Sequence, residues 1–399
     1  PTVADVDFGR TGGRHETADW RTVLVSGLGK GGRGFFAIDV TDPSAFASEG
    51  GAAGKVLWEF TEPDMGFSLG LPQVAKTARW GWVVLLTSGY NNTPRDGMGG
   101  WLYVLDVKTG ALLQKIGVPG TGAVGLAQVT AYAPDSTDGA ITEVYGGDNN
   151  GDVWRFDFNS ATAAVPPPVR FAQLRDSTGR GQPISTGPIV RVAPLTRNRY
   201  VFVGTGRVLG SSDVYSDLPQ SFYALRDGTR AKAWAPGALP TPIDFPLDRA
   251  KLVRNADLLS PIARDPARPG GWFFDLPALG ERVIVDPADT DFGKISWLGT
   301  IPDANNPCSP TGGSRIYAAN FETGQSQLFD PASLLAGPRA RVQSLDPKTG
   351  AVGLRLVRVD GNIRAVVTGQ YNELRLTQGY FRYLGPRSLN WREVLEPGS

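Results

Sequence analysis

The 399-residue chain sets 40 Lys and Arg against 39 Asp and Glu, a net charge of +1. The arginines are spread along the chain, which excludes nucleic acid as the main partner because phosphate binding needs a concentrated basic face. A single cysteine, Cys308, and a single histidine, His15, exclude an intrachain disulfide, a Cys/His zinc site and any histidine triad not built on His15.

Hydrophobic residues at 41% can supply a core, and 51 glycines with 31 prolines suit many short strands joined by tight turns. The longest apolar run, Trp82–Leu86, falls far short of the roughly 20 residues that span a bilayer, so no membrane insertion is expected. The chain begins at Pro1 with neither methionine nor signal peptide, as a C-terminal portion of a longer protein would.

Residues 1–19 show little periodicity and read as an irregular lead-in. A hairpin follows over Trp20–Val40, across the loop G-L-G-K-G-G-R-G, and V-L-W-E-F at 56–60 adds a strand. The clearest unit has strands at 71–77, 80–87, 101–110 and 112–116. Its phrase W-L-Y-V-L-D-V-K-T-G at Trp101–Gly110 alternates apolar and outward residues, then closes on an Asp and a Thr-Gly pair. The phrase recurs as F-F-A-I-D-V-T-D at Phe35, V-W-R-F-D-F-N-S at Val153, F-Y-A-L-R-D-G at Phe222, I-Y-A-A-N-F-E-T-G at Ile316 and S-L-D-P-K-T-G at Ser344. A partner strand ending in glycine precedes most copies. Four strands in about 45 residues is the size of a β-propeller blade.

Further units span 126–174 and 184–225. The pattern fades over 230–269, an insertion or irregular blade in which 248–259 has the leucine spacing of a short helix. Strands resume at G-W-F-F-D-L (271–276), E-R-V-I-V-D (281–286), K-I-S-W-L-G-T-I (294–301) and R-I-Y-A-A-N (315–320). They continue at 341–346, 362–369 and 391–395. The expected fold is all-β: one propeller over 1–399, of seven blades, with six or eight also compatible with the spacing. Stacked blades cover one another's faces and leave only short edges.

The ordered phrases at 20–43, 56–60, 146–158, 179–188, 201–213, 271–283 and 390–395 resemble the C-terminal domain of the PilY/PilC family of type IV pilus biogenesis factors and tip-associated adhesins. The resemblance implies a modified, quinoprotein-like propeller without enzyme activity. It also implies minor pilins and the pilus tip complex as partners, with control of extension against retraction. Attachment to host or abiotic surfaces, and a place in the periplasm, at the outer membrane, on the cell surface and at the pilus tip, belong to the same implication.

Family members often carry a calcium loop, D-x-N-x-D-G-x-x-D, before a V-Y-A-G-D strand. Here P-D-S-T-D-G-A-I-T precedes E-V-Y-G-G-D. Asp138 matches the acid before the glycine, but Pro134, Ser136 and Thr142 replace the other ligands, and Asp135 and Glu143 are one position out of register. Calcium takes about six to eight oxygens, several of them carboxylate. Asp135, Ser136, Asp138 and Glu143 form a degenerate candidate Ca²⁺ loop, with a solvated strand-to-strand loop the favoured reading.

D-N-N-G-D at 148–152 has metal-like spacing but reads as a hairpin turn with positive φ at Gly151. Asp286, Asp289 and Asp291 read as an exposed acidic turn. The G-x-G-x-x-G match at Gly27–Gly32 runs into a strand, not a helix, so it reads as a mobile hairpin loop suited to binding. Asp106 and Asp346 are expected to cap their turns, and Trp58, Trp82, Trp154, Trp297 and Trp391 to pack blades. Cys308 is either a free thiol or bonded outside the chain. Two other classes compete with a pilus scaffold: a quinone-cofactor dehydrogenase, which would need a calcium-holding acid set and a catalytic aspartate, and a glycan-binding lectin propeller.

Overall fold

The computed structural model describes residues 1–135, 137–230, 243–263, 265–290, 293–303 and 312–329, and shorter runs at 339–340, 343–345, 350–359, 362–369 and 374–376. Nearly all regular structure is antiparallel sheet. The first sheet runs Thr2–Asp7, Trp20–Gly27, Phe35–Asp39 and Val56–Phe60 in simple succession. The second runs Gln73–Thr77, Gly81–Thr87, Met98–Asp106 and Leu112–Pro119, with Ala140–Ile141 added in parallel to its first strand. The third has Val129–Tyr132, Glu143–Gly147, Asp152–Asp157 and Val169–Gln173. The fourth has Ile189–Val192, Asn198–Gly204, Ser221–Arg230 and Gly271–Asp275, and the fifth has Ala288–Thr290, Lys294–Ile301, Gly313–Asn320 and Gln343–Ser344. Smaller sheets pair Leu328–Phe329 with Arg339–Ala340, and Ala351–Val359, Asn362–Gly369 and Leu374–Leu376.

The core lies between the sheets. Val23, Val25 and Phe35 of the first sheet pack on Val84, Tyr103 and Leu105 of the second. Leu85 and Leu102 then meet Val144 and Trp154 of the third. Tyr145 and Phe171 meet Val201 and Tyr223 of the fourth, and Phe202, Phe222 and Trp272 meet Trp297 and Tyr317 of the fifth. The second to fifth sheets each contribute to two such cores, one on either side in chain order, which is how propeller blades stack.

The repeated phrase earns its place at these junctions. Asp106 Oδ1 accepts from the backbone N–H of Lys108 and Thr109, and Gly110 takes φ +70°, closing the turn as expected. Trp58 of the first sheet lies over that turn, its indole N–H donating to Val107 O at 2.9 Å. The device recurs in the fourth and fifth sheets. Asn320 caps Glu322 and Thr323, Gly324 takes φ +62°, and Trp272 donates to Phe321 O at 2.8 Å. Trp154 and Trp297 are likewise buried, Trp297 between stacked Phe222 and Tyr317, and Trp82 is half-buried. Trp391, Asp346 and Cys308 lie outside the described residues.

Three expectations differ. Residues 2–7 are not lead-in: they pair with Trp20–Val25, and the pattern is faint because only Val6, among the strand's apolar side chains, is fully buried. The helix over 248–259 shrinks to a single 3-10 turn at Arg249–Lys251, capped by Asp248, before a two-residue strand at Val253–Arg254. Leu252 and Leu258 serve different inter-sheet cores, so no single helical face could carry both. E-R-V-I-V-D is also no strand. Val283 N–H bonds Thr205 O while Arg282 bridges Thr300, so the segment stitches two sheets as it crosses between them.

Candidate functional site

Successive antiparallel strands send the phrase turns to one end of each blade. The glycine loops between second and third strands go to the opposite end, together with the crossings from sheet to sheet. At that end a cavity of about 120 Å³ opens among Asn149, Gly181, Pro183, Arg207, Asp213, Ser216, Leu218, Gln220 and Arg282. A smaller hollow of about 30 Å³ shares Asn149 and is walled by Gly70, Gly89, Gly125 and Leu209. Loops of the second, third and fourth sheets therefore converge on Asn149. They can do so because Gly70 lets the backbone carbonyl of Ala127 approach to 2.2 Å of where a Cβ would stand.

The cavity wall is tied internally. Asp213 accepts from Arg207 Nε and from the N–H groups of Leu209 and Gly210. Burial works against its charge, but those bonds prevail and hold the carboxyl below its ordinary range, so it is not a proton carrier at neutral pH. Arg282 is buried and donates to the carbonyls of Gly280, Arg207, Asp213 and Ser216. Burial lowers its pKa from the ordinary guanidinium value, with Asp213 and Asp217 opposing. Asp148, beside Asn149, accepts from Asn150 N–H, Asp152 N–H and the Trp154 indole. Burial nevertheless pushes its carboxyl up to about 6. Gly151 has φ +79°, so D-N-N-G-D is the hairpin turn the sequence indicates.

The candidate calcium ligands do not converge. Asp138 points to the second sheet, where Lys76 Nζ bonds its carboxylate at 2.6 Å. Asp135 accepts from the N–H and hydroxyl of Thr137, which hold its carboxyl below the ordinary range. Glu143, in the third sheet, is bonded by both terminal nitrogens of Arg199 of the fourth at 2.8 and 3.0 Å. Ser136 lies outside the described residues. The carboxylates that would hold the ion are thus committed to cations on opposite sides, a poor fit to calcium. Among the described residues no three acidic, histidine or cysteine side chains gather where they could hold a metal.

The acidic turn needs correction too. Asp289 lies in a strand and pairs with Arg191 at 2.6 Å, while Asp286 accepts from Gln128 Nε2 and Gly187 N–H, so both are half-buried; Asp291 is outside the described residues. The loop after Gly27 is tied down: Leu28 N–H bonds Ser68 Oγ at 2.9 Å and Arg33 stacks over Phe67.

The profile of the PilY1 β-propeller domain matches residues 10–239, more than half of the sequence. The chain belongs to the PilY1 β-propeller family. A type IV pilus biogenesis factor PilY1 homolog of Xylella fastidiosa (strain Temecula1) is 34% identical over 95% of the chain and 30% of the relative. The type IV pilus biogenesis factor PilY1 of Pseudomonas aeruginosa PAO1 is 28% identical over 82% of the chain and 30% of the relative. The chain therefore spans about a third of the length of these curated PilY1 relatives. The crystal structure of the Pseudomonas aeruginosa PilY1 C-terminal domain superposes with a TM-score of 0.70 at 24% identity, covering 95% of this chain and 83% of that one, which shows the propeller fold.

Asn149, Arg207, Gln220 and Arg282 were not singled out by sequence reasoning. The glycine-ended strand at Tyr200–Gly206 and the D-N-N-G-D turn mark their loops, but not their convergence.

Proposed function

We propose that this domain is a non-catalytic scaffold of type IV pilus biogenesis, docking minor pilins at the pilus tip, controlling extension against retraction and contributing to surface attachment. The observation that carries this reading is the PilY1-family match across residues 10–239. The loop-built end of the blades supplies a contact surface, since binding loops on a rigid scaffold are the usual site of recognition. A non-enzymatic role is supported by the groups at that end. Asp213 is locked in its bonds to Arg207 and two backbone N–H groups. The domain works in the periplasm and at the cell surface; among the described residues no helix is long and apolar enough to cross a membrane.

The test is a pull-down of the separate minor pilins on the immobilised chain, paired with piliation of a deletion strain. Capture of at least one minor pilin and loss of surface pili are expected. Failure to bind any of them, with normal piliation, would defeat the reading.

A further inference from the structure

Where the first sheet hands over to the second, a lysine, two carboxylates and three aromatic rings meet. Tyr103 and Lys115 are direct partners on the third and fourth strands of the second sheet, so their side chains share a face, the one packed on the first sheet. The crossing after Phe60 brings Glu62 and Asp64 to the same place. Lys115 Nζ donates to Asp64 Oδ2 and lies 3.3 Å from Glu62 Oε2. The Tyr103 hydroxyl donates to Asp64 Oδ1 at 2.8 Å. Trp101 and Tyr103 cover the amino group, with ring centroids 4.4 and 5.6 Å away, and Phe60 packs edge-on against Tyr103.

Asp64 is 2% exposed, and its backbone is pinned. Its carbonyl accepts from Thr93 N–H at 3.1 Å, and Met65 N–H closes the turn on Glu62 O at 3.0 Å. Lys76 and Lys251 also pair with aspartates, but Asp138 and Asp244 have side chains 58% and 90% exposed, where water competes for both charges. At Asp64 water is excluded. Taking an ammonium and a carboxylate out of water favours passing a proton between them, which leaves a neutral amine beside a carboxylic acid. Groups held in reacting geometry behave as though present at about 10⁵–10⁸ M. The Tyr103 O–H already points at the oxygen that gains negative charge when an amine adds to the carboxyl carbon.

We infer that Lys115 and Asp64 join in an intramolecular isopeptide bond. Lys115 Nζ adds to Asp64 Cγ, so that an N–C bond forms and the Cγ–Oδ2 bond breaks. The ammonium gives up two of its three protons, the first directly to Oδ2 and the second by way of Glu62 Oε2. Both leave on Oδ2 as one water. Glu62 ends as it began, and no oxidant, reductant or activated co-substrate takes part. The link ties the crossing between the first two sheets to the outermost strand of the second, Leu112–Pro119. It stands or falls independently of the pilus reading.

The experiment is an intact-mass measurement of the purified 399-residue chain in denaturant, followed by tryptic mapping. The expected mass lies below the sequence mass by one water, with no cleavage after Lys115 and a branched peptide joining the segments that carry Asp64 and Lys115. Lys115→Arg keeps the charge but cannot form the amide, so it should restore the sequence mass and give separate peptides. Glu62→Gln should leave most chains unlinked after purification, since a positioned proton carrier contributes about 10²–10⁴-fold in rate. The unreduced sequence mass in the wild-type chain overturns the inference. So does a lost water that persists in Lys115→Arg, or one that mapping places elsewhere, such as a succinimide at Asp96-Gly97. Full linkage in Glu62→Gln overturns the proton route through Glu62.

Discussion

Gly110 and Gly139 differ in one respect that can be measured. Both hold left-handed backbone, φ +70° and +68°, so an alanine at either pays a similar conformational cost, about 1–2 kcal/mol less the fraction recovered from stiffening the unfolded chain. A Cβ at Gly139 would meet nothing within 4 Å, whereas one at Gly110 would stand 2.5 Å from Cγ of the Trp58 ring. The ring is 7% exposed and cannot retreat without leaving the carbonyl of Val107, a bond worth about 1 kcal/mol, and giving up part of the burial of a large aromatic. Gly139→Ala should therefore cost about 1 kcal/mol and Gly110→Ala about 3–4 kcal/mol. Urea titrations followed by tryptophan fluorescence give both values, read as midpoint shifts at constant slope. Equal costs within about 0.5 kcal/mol would show that the Trp58 contact does not join the first two blades as described.

Asp227→Ala leaves the buried guanidinium of Arg199 with Glu143 alone and takes the acceptor from the Tyr145 hydroxyl, so a loss of about 2–3 kcal/mol is expected in the same titration; less than about 0.5 kcal/mol would mean the network is solvated. Calcium at 1 mM should move the melting temperature by less than about 1 °C, because the carboxylates of the degenerate loop are held by Lys76 and Arg199. A stabilisation of about 2.7 kcal/mol, the signature of a site saturated a hundredfold, would overturn that assignment.

What the sequence reveals here follows the range of the interactions concerned. Asp106 and Gly110 act within five residues of chain, so their roles as cap and left-handed turn are readable from L-D-V-K-T-G. The reason the phrase repeats is not readable, because Trp58 and Trp272 reach their turns from 49 residues upstream and one sheet away. The calcium loop shows the same boundary. Asp138 and Glu143 look like neighbours on the chain, but Asp138 answers to Lys76 of the second sheet and Glu143 to Arg199 of the fourth. Residues 2–7 were illegible because one buried valine is too weak a period-two signal.

The two ends of the blades divide the work between them. At the phrase end of the second and fifth sheets, Asp106 and Asn320 cap turns, Trp58 and Trp272 lock them to the preceding sheet, and Gly110 and Gly324 leave room for the indoles. At the glycine-loop end, Arg282 on four carbonyls and Asp213 on Arg207 and two backbone N–H groups fix the walls of the cavity. Walls held in this way suit the docking role proposed above, because rigidity spares the ordering cost that a flexible surface would incur on binding.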